Sequence, residues 1–218
     1  MLAFLAQIDW PDVAEAGIDT LTMLAWALGF TVLIGLPLGV ILYLTGQPRL
    51  LYAPLLHRTL SLLVNIMRSL PFIILLIVMI PLTTLITGTS LGVQGTIPPL
   101  VAGCAPFFAR LVETSLREVD HGLVEASWAM GGSTWQLIWY TLLPESRSGL
   151  IAAVTVTAIV LVDYTSMAGV IGGGGLGDLA IRFGYQRFQT DVMAVTVVLL
   201  IALVQVLQMS GDRVVRRM

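Results

Sequence analysis

Long charge-free stretches alternate with short charged ones along this chain, a pattern that fits helices crossing a bilayer. Residues 21–44 carry no charged side chain and form the first predicted span. Residues 69–109 are also free of charge, over about twice the length that one crossing needs. The polar pair Thr83-Thr84 and the cluster Thr87-Gly88-Thr89-Ser90 divide that run into a tight helical hairpin, whose first arm begins upstream near Leu60. Residues 151–169, interrupted only by Asp163, make a fourth span, and residues 192–211 make a fifth. Five crossings predict an all-α polytopic membrane protein with its two termini on opposite sides.

Between the third and fourth spans lies a polar, partly amphipathic island, residues 120–146. Gly131-Gly132 predicts a break between two short helices, and Ser133-Thr134-Trp135-Gln136 has the spacing of a capping box that opens the second. Trp128, Trp135, Trp139 and Tyr140 are also compatible with an ordinary amphipathic loop anchored among lipid headgroups.

Composition agrees with the span count. Hydrophobic residues make up 57% of the 218-residue chain and charged residues 11%, a balance that a soluble domain of this size cannot bury. The net charge of −2 and scattered basic residues give no nucleic-acid footprint. The single Cys104 excludes an internal disulfide and reads as a small packing residue. The first seventeen residues hold Asp9, Asp12 and Glu15 and no basic segment, so no cleavable signal peptide is expected.

Arginine placement orients the bundle. Arg49, Arg58, Arg68, Arg110, Arg117, Arg147, Arg213, Arg216 and Arg217 fall on one side, whereas Arg182 and Arg187 fall on the other. The N-terminus is therefore expected outside, with the island and the C-terminus in the cytoplasm. Arg68 and Arg110 then read as interfacial anchors at cytoplasmic helix ends.

Candidate chemistry is sparse. Gly172-x-Gly174-x-x-Gly177 has the letters of a dinucleotide fingerprint but follows a span, without a βαβ unit or an acidic partner; its glycines suit a tight re-entrant turn and close helix packing. No phosphate-cradling P-loop occurs, so an enzymatic role and any cofactor bound by this chain are not expected. His57 and His121 read as solvated loop residues. Asp163 stands apart: at ~1.5 Å per residue it lies roughly 18–20 Å into the fourth span. Facing lipid there costs about 2.5–3.5 kcal/mol, so it is expected in the bundle interior or a wet cavity. Contact with a solute and hydrogen bonding to Thr155, Thr157 or Tyr164 both remain open.

The island's Glu125-Ala126-Ser127, Gly131 four residues after the serine, and Leu143-Pro144 together resemble the EAA loop of ABC-importer permeases. Thr141 departs from the aliphatic residue that the family usually places three positions before the proline. Further stretches are similar to the permeases of bacterial methionine importers, and the likeness runs from about residue 18 almost to the end: Arg68-Ser69-Leu70-Pro71-Phe72, Gly88-Thr89-Ser90-Leu91-Gly92, Tyr164-Thr165-Ser166-Met167-Ala168-Gly169, Gly174-Gly175-Leu176-Gly177 and Gly211-Asp212-Arg213. The resemblance implies a type I ABC-importer permease fold in the bacterial inner membrane. It divides the chain into an outer segment 1–17, a transmembrane domain 18–211 and a cytoplasmic tail 212–218. It further implies a homodimer in contact with membrane lipid, two cytoplasmic ATPase subunits that bind the ATP and Mg, and a periplasmic or lipid-anchored solute-binding protein. Methionine, D- or L-, is the implied solute; the alternatives are another small amino acid or zwitterion, or a membrane scaffold that transports nothing and recruits a soluble partner through the same loop. Glu125, Ala126, Ser127, Gly131, Leu143 and Pro144 would dock the ATPase. Met167, with Asp163, Tyr164 and Ser166, would line the path and its gate. The family's usual residue at position 163 is small, such as glycine.

Overall fold

A computed structural model describes residues 8–48 and 50–217; the expectations placed on residues 1–7, Arg49 and Met218 lie outside the described residues. Helix α1 (Trp10–Gly46) runs 37 residues, about 55 Å at ~1.5 Å per residue, and so exceeds a ~30 Å hydrocarbon layer. It begins well before residue 21, because Pro11 at its first turn and Asp12 beside the helix N-terminus both favour initiation there. The acidic stretch expected as a separate outer segment is thus helical from Trp10 onward.

The first arm of the hairpin is broken rather than continuous. Helices α2 (Pro54–Ser69) and α3 (Phe72–Val78) meet at a bend of 103°. The cause is Pro71: it disfavours helical geometry at the preceding residue, and Leu70 accordingly sits at φ −78°, ψ 128°. Helix α4 (Ile80–Thr87) completes the arm, and Gly88, at φ 78°, closes its C-terminus. The return arm is α5 (Gly92–Arg117). The island forms α6 (His121–Ala129), α7 (Thr134–Leu137), a π-helical turn over Ile138–Leu142 and the short α8 (Leu143–Glu145). Helices α9 (Arg147–Ala168) and α11 (Thr190–Arg216) form the last two spans, joined through a short helix α10 (Gly175–Leu179) and a π-helical segment over Ala180–Tyr185. Among the described residues, four helices are long and apolar enough to cross a membrane, and the bent pair brings the number to as many as five.

The bundle is held by close backbone approach. Gly35 and Gly39 lie one turn apart on α1, and a Cβ on Gly35 would stand 2.9 Å from the Ala105 carbonyl oxygen, on Gly39 2.6 Å from that of Ala109. Phe108 and Val112 fill the space that a Cβ on either glycine would need, so the two backbones approach closely, a main source of helix association where lipid is as apolar as leucine. Met23, Leu24, Ala27, Leu100, Cys104, Leu161 and Val162 fill the core between α1, α5 and α9. At the far end from the island, the Thr20 hydroxyl accepts from the Leu176 N–H at 2.8 Å. Gly175 there holds φ +79°, and a Cβ would meet that hydroxyl at 2.6 Å, so the glycine-rich turn does serve close packing.

The arginines expected as interfacial anchors have neighbours within the chain. Arg110 is not a lone anchor: it donates to Glu113 (2.6 Å), Ser61 (2.9 Å) and Asn65 (2.8 Å), tying α5 to α2. Glu113 is 1% exposed and also accepts from Arg117, so one buried carboxylate holds two guanidiniums. Arg68 is exposed on the chain. It sits at the α2–α3 break, 5.9 Å from the ring centre of Phe107 in the middle of α5. His57 is half-buried in α2 rather than solvated, its Nδ1 3.1 Å from the Leu42 carbonyl oxygen.

Candidate functional site: a capped helical knob and an exposed stripe on α9

The knob is anchored from beneath. Val124, Leu137 and Leu142 are buried against Tyr43, Leu44, Phe108, Val112, Leu116 and Ala153, so the island rests on the core that α1, α5 and α9 share. Each end of its first helix is satisfied locally. The Asp120 side chain accepts from the Gly122 N–H at 2.6 Å. At the other end, Gly131 N–H donates to the Trp128 carbonyl (2.9 Å) and Gly132 N–H to that of Ser127 (3.1 Å), with Gly131 at φ +77°. Those two bonds are a Schellman motif, which explains in physical terms why glycine follows Ser127 by four residues. Ser133 and Gln136 then close a reciprocal capping box: the Ser133 N–H donates to Gln136 Oε1 at 2.8 Å, and the Gln136 N–H donates to Ser133 Oγ at 3.3 Å. The predicted helix, glycine break and helix are all present.

Pro144 terminates the knob through what it lacks. Without an N–H, it cannot donate to the carbonyl four residues back, and the chain widens into the π-helical turn just before it. Just beyond it, Ser146 donates from both its N–H (3.0 Å) and its Oγ (2.7 Å) to the Leu142 carbonyl. The outer surface of the island is apolar and aromatic. Met130 and Tyr140 are at least 80% exposed, and Leu123, Trp128, Trp135 and Trp139 are also exposed. Glu125 and Ala126 lie on the exposed side of α6, with Ser127 half-buried beneath them. Of the other residues expected to dock, Leu143 is half-buried and Pro144 exposed. A rigid, well-anchored element with such a surface suits protein contact.

The residues expected to line a path divide. Asp163 and Met167, one turn apart, lie with Val156 on an exposed stripe of α9, which Val170 continues in the 3-10 turn just past the helix end. Tyr164 points elsewhere and stacks on Phe72, ring centres 4.0 Å apart. Ser166 turns toward α10 and donates from Oγ to the Val162 carbonyl. Asp163 does not sit in the chain's interior, and its neighbours do not satisfy it: Thr155 and Thr157 donate to Ile151 and Ala153 carbonyls instead. An exposed carboxylate at that depth demands a polar neighbour from outside the single chain. No group of three or more potential metal-ligating side chains occurs among the described residues.

Comparison with known proteins now decides the class. Residues 35–218 match the family described as the binding-protein-dependent transport system inner membrane component. The chain belongs to that family. It is 50% identical over 194 residues to a probable D-methionine transport system permease protein of Vibrio cholerae, covering 89% of this chain and 85% of the relative. The methionine import system permease protein of Bacillus subtilis is 42% identical over 209 residues, covering 96% and 94% of the two chains. In three dimensions, an inward-facing conformation of a methionine ABC transporter superposes with a TM-score of 0.89 at 46% identity, over 100% of this chain and 97% of that one. The fold is that of a type I ABC-importer permease, and the protein is an inner-membrane transport component. Sequence reasoning missed Glu113 and the Gly35–Gly39 packing face. The signals were present: arginines three residues before and four after a glutamate, and glycines four apart in an apolar run.

Proposed function

We infer that this chain is the membrane subunit of an ATP-driven methionine importer, working as a homodimer with two cytoplasmic ATPase subunits and an outer solute-binding protein. The observation that carries the inference is full-length likeness to permeases named for methionine, joined to a knob whose capped geometry suits docking on a soluble partner. In this reading, Glu125, Ala126, Ser127, Gly131, Leu143 and Pro144 meet the ATPase, which alone binds ATP and Mg. The domain limits 18–211 and an N-terminus outside the cell follow from arginine placement and the knob's cytoplasmic role.

The stripe of α9 is the surface that faces the second copy. Met167, 39% exposed, supplies a flexible apolar plug there, and Asp163 lines a wet path between the two copies. Met167→Ala is expected to raise solute leak and uncoupled ATP hydrolysis in proteoliposomes. Unchanged leak with a lower unfolding midpoint would assign Met167 to packing. Asp163→Asn is expected to slow uptake or shift solute preference, while Asp163→Gly moves the protein toward its relatives. Wild-type rates for the same solutes in both variants would remove Asp163 from the path. The function itself is tested by reconstituting the chain with its ATPase and binding protein and measuring ATP-dependent uptake of labelled methionine against competing D- and L-amino acids. Failure of methionine to enter, with another amino acid entering, would replace the solute.

A further inference from the structure

At the α2–α3 break, a cavity of about 250 Å³ opens between Met67, Arg68, Phe72, Gly103, Phe107 and Tyr164. At ~30 Å³ per water molecule that is room for about eight waters, enough for one compact amino acid. Gly103 lies eleven residues into the 26-residue α5, which puts the cavity near the middle of the membrane. Its wall is made partly by absence: a Cβ on Gly103 would meet Leu75, Tyr164 and Phe72 at 3.3–3.4 Å and intrude on the space.

Arg68 is the cavity's one charged side chain, and among the described residues no carboxylate lies within salt-bridge distance of it. Its recorded partner is the Phe107 ring, 5.9 Å away. By contrast, Arg110 and Arg117 are both paired with Glu113. Arg68 is exposed on the single chain at the mouth of this cavity; an unpaired guanidinium within an apolar segment is costly, and such residues mark solute pathways. Broken helices at the midplane are likewise where transporters place their substrate sites. Guanidinium matches carboxylate as a two-pronged donor, and Met67, Phe72 and Phe107 offer a soft, apolar surround for a thioether.

We propose that this cavity is a transit site for the passing amino acid, with Arg68 binding its α-carboxylate and Met67, Phe72 and Phe107 receiving its side chain. The proposal rests on the importer reading above and adds a site on this chain to it. Asp163, next in sequence to Tyr164, stands on the adjoining exposed stripe. A carboxylate group enters, ion-pairs and leaves; no covalent change is involved.

The test uses the whole complex in proteoliposomes and a photoreactive methionine carrying a diazirine in its side chain. Illumination expels dinitrogen, and the resulting carbene inserts into a neighbouring bond. Adducts are expected on peptides containing Met67–Phe72, Phe107 or Tyr164, and excess methionine should remove them. Arg68→Gln should lower both labelling and uptake about tenfold or more, the scale of one lost charged hydrogen bond, while Arg68→Lys retains most of each. Adducts confined to other parts of the permease overturn the site, and this result needs no variant to fold. Equal labelling of Arg68→Gln and wild type overturns the carboxylate role. If the wild-type complex imports another amino acid and not methionine, the solute assignment fails. Arg68-dependent labelling of the same peptides by a photoreactive leucine would then uphold the site alone.

Discussion

Complexes carrying Gly131→Leu should insert into the membrane normally yet lose ATPase subunits on purification, or hydrolyse ATP without response to solute. Gly131 holds φ +77° with nothing within 4 Å of its missing Cβ, so the penalty comes from backbone conformation and not from a clash. A left-handed residue with a branched side chain costs about 1–2 kcal/mol, and the easiest relief is to undo the two bonds that cap α6. The knob then loses its fixed angle. One or two kcal/mol shifts an equilibrium roughly 5–30-fold, and solute-stimulated ATP hydrolysis should fall within that range. Gly131→Asn separates the causes, since asparagine tolerates the left-handed region better than leucine; it should keep most coupling. Wild-type assembly and turnover in Gly131→Leu would reject the knob as the docking element.

The knob was legible in the sequence because its determinants are local. A glycine at the Schellman position, a serine and glutamine three apart, and a proline ending the second helix each act within a few residues. The spans were legible for a similar reason: charge-free length alone decides whether a helix can cross. What sequence left unseen depends on neighbours distant along the chain. Pro71 was visible, but the 103° bend it permits turns a predicted continuous arm into two pieces and brings Arg68 beside Phe107 of α5. Of the two settings expected for Asp163, the interior of the chain is not the one found: the residue is exposed. Periodicity gives a residue's face, and which face meets a second copy is not written within one chain.

Glu113→Leu is expected to cost more stability than any other single change near the knob. Removing one member of a buried ion pair typically costs about 3–5 kcal/mol because the other charge stays behind. Arg117 is 54% exposed and can turn to water, whereas Arg110 is only 22% exposed and keeps just Ser61 and Asn65 as partners. The loss should therefore fall at the low end, about 2–3 kcal/mol, after discounting the solvated partner. For a chain of this size the unfolding midpoint in detergent should drop by roughly 5–10 °C. Glu113→Gln, which keeps the shape and one acceptor oxygen, should lose less than half as much. The functional consequence follows from continuity. Helix α5 passes from Glu113 through Arg117 into the buried Val119 and on to the first residue of α6, so the carboxylate fixes the root of the knob against α2. Partly folded Glu113→Leu complexes should show ATP hydrolysis weakly linked to solute even at temperatures where assembly survives. A midpoint equal to wild type would mean that the two arginines find other partners and that α5 does not depend on this carboxylate.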